Sequence, residues 1–385
     1  MTADDNATDR AQVAAQNANP SPAQPAAQGE QAKIDPTALA ANKTNINFSG
    51  GLPGFLKSQD ISLAFTSYQT GRLYLAGHSD EGKLALHEAT YPQAMGVAGD
   101  GQRIYLGTLL QLVRLENVLA PGQRANKVHD KVFVPRNMQT FGNIDFHEVG
   151  VRENGVVVVV NTKYSCLCEP SLTHSFKPIW KPPFISKLAP EDRCHLNGLA
   201  MKDGAPKYVT AICKSDVVDG WRDRRHEGGL IIDVETDEIV IEGLSMPHSP
   251  RWHDGKLWVL NSGTGELGWI EEGGAFRPLA FCPGFLRGLT FFGGYAAVGL
   301  SKPRHGRFEG LALDEKIREK DADPWCGIQI ISLATGDVVQ WLRFDGAIAE
   351  LFDICALPGV QNAITLGPNS PEIRDFVTFE MPATP

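Results

Sequence analysis

Five times along this chain a glycine or aspartate is followed by an aliphatic residue at the start of a strand, with a second strand a short turn later, and a sixth copy shares only the strand that follows. The copies are QAMGV (93–97), HEVGV (147–151), HLNGL (195–199), HSPRW (248–252), FLRGL (285–289) and ELFDI (350–354). HSPRW and ELFDI lack the glycine and are placed by the strand that follows. The second strands are GQRIYLGT, NGVVVVVNT, APKYVTAI, DGKLWVLN, GGYAAVGL and VQNAITLG. β-branched and aromatic runs bounded by Gly, Asn, Asp and Pro are strand signals. A fixed period of such units is the mark of a repeat architecture.

Most copies add two further strands. GGLIIDVETDEIVIEG (228–243) and CGIQIISLATGDVVQWL (326–342) read as hairpins. Six copies at about 57 residues each suit long propeller blades with insertions. The expected fold is therefore all-β: one six-bladed β-propeller with four-stranded blades over residues 46–385. N-terminal strands at 61–68 and 72–88 complete the last blade, which removes free sheet edges. A parallel α/β fold needs a helix between strands. The connections supply only one helical segment, GLALDEKIREKDAD (310–323), inside a 301–325 connection long enough to close over the rim.

Residues 1–45 contain no aromatic residue and are rich in Ala, Gln, Asn and Pro. Such a segment buries too little apolar surface to offset the entropy of ordering, so a disordered tail is expected there. The net charge of −9 argues against nucleic acid and anionic membranes as partners. No apolar leader or membrane-length apolar run is present, so a cytoplasmic location is expected. The seven cysteines have no zinc-ribbon spacing and read as buried, reduced thiols.

In a propeller the first strand of each blade lines the channel. Chemistry gathers from the first residues of those strands and from the loops after the second strands. The first positions are Gln93, His147, His195, His248, Phe285 and Glu350. Three are histidine, in a chain with 10 His among 385 residues. Three neutral imidazoles with open positions are a usual ligand set for a catalytic divalent metal, here zinc, manganese, iron or copper. Glu350 is then a fourth ligand or general base, and Arg193 and Arg251 are catalytic cations. Asp145 and Glu148 flank His147 and are placed to orient its ring. Asn161, Lys163, Asn197, Trp221, Arg222, Asn261, Ser262, Arg287 and Arg304 are the expected substrate-binding residues of the same rim. Clustered arginines suit an anionic substrate through bidentate pairing. The competing reading is that a histidine in a water-filled channel mouth simply hydrogen-bonds. His226, His253 and His305 read as surface residues, and His78, His87, His129 and His174 as structural. The other tryptophans read as packing between blades. Cys166 and Cys194 keep a redox metal open.

The segments NTKYSCL, DRCHLNGLA, MPHSPRWHDGKLWVLNSGTGELG, PGFLRGL and VGLSKPR resemble a bacterial family of propeller-like proteins of unknown function. The resemblance covers about residues 55 to 380. It implies the propeller fold and places these motif residues on one rim, without implying an activity. More distantly, the architecture is similar to six-bladed metal enzymes of the gluconolactonase-like and amidating-lyase kinds, the latter with a three-histidine metal. The function expected is a metal-dependent enzyme acting by elimination, hydrolysis, isomerisation or redox chemistry on a polar, anionic small molecule, sugar or modified peptide. The alternative is a propeller that binds a ligand or protein through the same rim without chemistry.

Overall fold

A computed structural model describes residues 44–304, 306–308 and 310–380. The expected tail lies outside these residues except for its last two positions, and so does His305. Within them, six antiparallel sheets follow one another around a channel. The inner strand of each blade touches the inner strand of the next, and the sixth returns to the first. Those inner strands are Ile354–Pro358 (blade 1), Val97–Gly99 (blade 2), Phe146–Val151 (blade 3), Leu196–Lys202 (blade 4), Pro247–His253 (blade 5) and Phe285–Phe292 (blade 6).

The ring closes as expected. Blade 1 takes its inner strand from the C-terminal part of the chain and its other three, Ile61–Ser67, Arg72–His78 and Leu84–Thr90, from the N-terminal part. One expectation fails here. VQNAITLG does not form the second strand of its copy, because Ile61–Ser67 already occupies that place. Its strand, Ala363–Thr365, instead runs parallel to Lys131–Phe133 on the outside of blade 2. Asn45–Phe48 adds a similar fifth strand to blade 6. Two helices interrupt the sheets among the described residues: Leu52–Ser58, and Ala312–Glu319 inside the segment expected to be helical.

The core lies between blades. Along Val157–Asn161, Val157 and Val159 pack toward blade 2, while Val158 and Val160 pack toward blade 4. In blade 5, Val259 faces blade 4, and Trp258 and Leu260 face blade 6. Strands buried on both faces read as unbroken apolar runs, even though successive side chains alternate. Hydroxyls then pin neighbouring blades. Thr66, Thr162, Ser262 and Ser301 donate across the junctions to the carbonyls of Met95, Leu196, Leu286 and Leu351 at 2.6, 2.6, 2.7 and 3.2 Å.

Arg251 ties the channel together. Its Nη2 donates to Glu148 of blade 3 at 2.5 Å and lies 3.5 Å from Asp353 at the entry to blade 1. Its Nε donates to the Leu289 carbonyl of blade 6 at 2.9 Å, and Nη1 reaches Leu199 of blade 4 and Pro250 of its own blade at 3.4 and 3.0 Å. Asp353 in turn accepts the Val97 amide of blade 2 at 2.9 Å. One guanidinium therefore meets five blades directly and the sixth through its partner carboxyl. Burial pushes both the Glu148 and Asp353 carboxyls up, and the Glu148 charge adds to the rise at Asp353, against the pull of Arg251. Both acids therefore tend to keep a proton at pH values where an exposed carboxyl would lose it.

Removing one member of a buried ion cluster leaves the others unpaired, at a cost of about 3–5 kcal/mol. Arg251→Met is expected to lose about that much stability in urea titrations. A pH series provides a second check. A carboxyl raised on folding contributes stability that is present at low pH and lost as pH rises through its folded value. Parent stability should therefore fall as pH rises above the ordinary carboxylate range, and Asp353→Asn, which mimics the protonated acid, should flatten that slope. An unchanged slope in the variant would show that Asp353 is not the titrating group.

Candidate functional site

His147, His195 and His248 lie at the same end of their inner strands, all buried. The chain reaches that end through left-handed turns. Asp145 and Met246, each two residues before a histidine, have φ of 59° and 49°. A non-glycine residue in this region is uncommon and costs of the order of 1 kcal/mol or more. The turn aims a backbone carbonyl at the histidine that follows. His147 Nδ1 lies 3.2 Å from the Asp145 carbonyl, and His248 Nδ1 lies 2.8 Å from that of Met246. His195, itself at φ 49°, uses a carboxylate instead, with its Nδ1 2.8 Å from Asp192 Oδ2. Ser262, whose hydroxyl donates to Leu286, presents its oxygen to His248 Nδ1 at 3.1 Å.

A ring nitrogen facing a carbonyl or carboxylate oxygen is the donor. In each ring Nδ1 is therefore the hydrogen-bond donor, and in His147 and His248 this leaves the Nε2 lone pair free. That of His248 is buried and has no hydrogen-bond partner. Burial, with the nearby His195 and Arg287, holds His147 down at about 4 against the pull of Asp145. Burial and Arg287 likewise hold His248 well below the ordinary histidine range. These two rings are neutral at physiological pH. The rings of His147 and His195 meet edge to face, centroids 4.9 Å apart, while His248 packs on Phe285 at 5.2 Å. Among the described residues, no group of three or more His, Cys, Asp or Glu side chains stands close enough to hold a metal ion.

Asp192 was not anticipated by the sequence reading. Its Oδ2 accepts from both His195 and the Trp221 indole, the latter at 2.9 Å. Burial pushes its carboxyl up, but those two partners outweigh it and the group sits below the ordinary range. Trp221 lies against His195 at 4.2 Å, and Arg222 over Trp221 at 4.7 Å. The D-x-x-H spacing of Asp192 and His195 was the available signal. Tyr68 and Phe352 were also missed. Phe352 packs on His147 at 5.3 Å and on Tyr68 at 5.6 Å. Tyr68 gave no signal, because its strand joins the site only when the ring closes.

The expected site residues divide. Arg287 faces the histidines, close enough to depress the pKa of both His147 and His248. Glu350 is not free as ligand or base. Arg304 clamps both its oxygens at 2.8 and 3.0 Å, and the Tyr68 hydroxyl donates to it at 2.6 Å. Arg251 is the channel tie described above. Arg193 has its donors taken by Glu191, Ser186 and Asp216. Neither arginine keeps the free fork expected of a catalytic cation. Glu148 faces Arg251 rather than His147, while Asp145 keeps the orienting place. Asn161 and Asn261 accept the backbone amides of Tyr164 and Ser245, and Asn197 donates to Pro247 of the next blade. These three asparagines shape the rim. Lys163 is half-buried beside them. The seven cysteines are free and buried, and burial pushes the Cys194 thiol up.

No helix among the described residues is long and apolar enough to cross a membrane. Among solved structures, the chain is similar in fold to a chain of the nidogen/laminin complex, at 11% identity and a TM-score of 0.48, covering 78% of this chain and 99% of that one. It is also similar to virginiamycin B lyase from Staphylococcus aureus, at 11% identity and a TM-score of 0.37, over 78% and 99% of the two chains. At such identities the likeness concerns the fold alone. No curated protein matches the chain. The family DUF4915, described as a domain of unknown function, matches residues 50–366. That span takes in nearly the whole propeller, and the chain belongs to this family.

Proposed function

We propose that the protein is a metal-dependent enzyme acting on a polar, anionic small molecule at the histidine end of the channel. The observation that carries this reading is the shared posture of the three imidazoles. Each has Nδ1 fixed by an oxygen and Nε2 left open, and one of those Nε2 atoms is buried without a partner. A buried polar atom without a partner costs about 1–3 kcal/mol, and a bound ion would satisfy it. His147, His195 and His248, which do not stand close enough together in this structure to form a metal site, would have to converge to hold zinc, manganese, iron or copper. The rings of His147 and His195 stand 4.9 Å apart, centroid to centroid, and would be the nearer two of the three ligands.

A divalent ion in that place supplies Lewis acidity toward a substrate oxygen. Arg287 would attract and orient the anion. Asp192 and the Asp145 carbonyl keep His195 and His147 in the tautomer a ligand needs. Trp221 closes one wall, and Arg222 and Lys163 add positive charge at the rim. Elimination, hydrolysis and isomerisation all begin from an oxygen polarised in this way. A non-catalytic binding site is the second reading. It is favoured by the placing of His248 against Phe285, apart from the other two rings, and by a cation standing among the imidazoles.

Elemental analysis of untagged protein is expected to find close to one equivalent of a transition metal. Folded His147→Ala, His195→Ala and His248→Ala variants should each lose it. A parent that stays empty after reconstitution with all four metals would overturn the metal reading in favour of the binding propeller. Asp192→Asn should weaken metal affinity about 10- to 100-fold while leaving the fold intact, as measured by competition with a chelator. Equal affinity in that variant would remove Asp192 from the role of positioning residue.

A further inference from the structure

Arg287 differs from every other arginine at this end of the channel. Arg193, Arg251 and Arg304 are each paired with carboxylates. Among the described residues Arg287 makes no side-chain ion pair or hydrogen bond, and its Nε is buried without an acceptor. The two nearest acids do not release it from this state. Glu350 and Asp145 are close enough to act on it through space. However, Glu350 is clamped by Arg304 and Tyr68, and Asp145 lies beside His147. The imidazoles around it carry no negative charge and offer no counter-charge.

What holds the guanidinium is aromatic. Its carbon lies 5.1 Å from the Phe352 ring, 5.5 Å from Phe285 and 5.9 Å from Tyr68. Such contacts orient a guanidinium through ring electrons without using its N–H groups. The planar fork of donors is left unused. A fork of this kind matches the two oxygens of a carboxylate. One unpaired guanidinium suits one negative charge, and among the described residues Arg193, Arg222, Arg251 and Arg304 are each taken by a carboxylate. Phe285 and Phe352, each also packed on a histidine, place apolar ring surface beside that charge.

We propose that Arg287 is the anchor of a monocarboxylate subsite, and that the ligand carries its carboxylate on a flat, apolar body lying between Phe285 and Phe352. The inference rests on reading the histidine end of the channel as a ligand site, but it does not require a metal there. The ligand carboxylate takes the fork that the protein's own acids leave empty. The rest of the ligand then reaches the histidines across the aromatic walls.

Calorimetric titration of the full chain after chelator treatment tests this, with benzoate as probe and benzamide as its neutral isostere. Benzoate should bind the parent, and benzamide about ten-fold or more weakly, as expected for the loss of a charge-assisted pair. Arg287→Gln and Arg287→Lys should each weaken benzoate by a similar factor, lysine because it keeps the charge but lacks the fork. The proposal is overturned if benzoate fails to bind, if benzamide matches it, if phosphate binds more tightly, or if folded Arg287→Gln binds benzoate like the parent. Should Arg287→Gln not fold, the comparison of benzoate, benzamide and phosphate on the parent still decides. A parent that takes up no metal yet binds benzoate keeps this inference and loses the metal reading. One that takes up metal and ignores benzoate does the reverse.

Discussion

A ring of six sheets has a hole at its centre, and in this protein a single guanidinium spans it. Strands packed face to face hold each blade to its neighbours, but those contacts are pairwise and leave the inner strands free to spread. Arg251 opposes the spreading because its acceptors come from blades 3, 4, 5 and 6 and from the entry to blade 1. The raised pKa values of Glu148 and Asp353 limit the cost of placing two acids beside one base. Such a cluster is weak evidence of extra stability over an apolar plug. Its value here is geometric. A cation that must satisfy five blades fixes where each inner strand begins, and the histidines stand at those beginnings.

The propeller was legible because its period is long and its turn residues recur. The runs KLWVLN, YAAVGLS and VVVVV announced strands even though the two-residue alternation was hidden by burial on both faces. Closure was legible as well, since N-terminal strands without a partner needed a blade to join. The fate of VQNAITLG was not, because two strands competed for one place and only the packed ring shows which fits. The same holds for Asn45–Phe48, a short exposed strand whose partner lies almost 300 residues away.

The histidine register was readable for the same reason, while the roles of the charges around it were not. Glu148 follows His147 directly, yet successive residues of a strand point to opposite sides. Adjacency in sequence therefore separated the two in space. Glu350 has the register of a ligand but sits beside Arg304 and Tyr68, which take both its oxygens. Arginine clusters announce a charged rim and do not say which member is left unpaired. That is decided by loops brought together only when the ring closes.

The channel thus contains two arginines in opposite states. Arg251 lies three residues further along its strand than His248, surrounded by acceptors, and its charge is balanced. Arg287 stands among aromatic rings and neutral imidazoles with its donors unused. Both are costly to bury, and a fold selected only for stability would treat them alike. The strained turns at Asp145, His195 and Met246 add their own cost to hold three imidazoles at this end of the channel. Backbone strain, an unpartnered imidazole nitrogen and an uncompensated guanidinium within one channel mouth are each unfavourable to the isolated protein. A ligand that brings both a cation-seeking carboxylate and an ion for the histidines would relieve the second and third together, which is why the two are best understood as parts of one site.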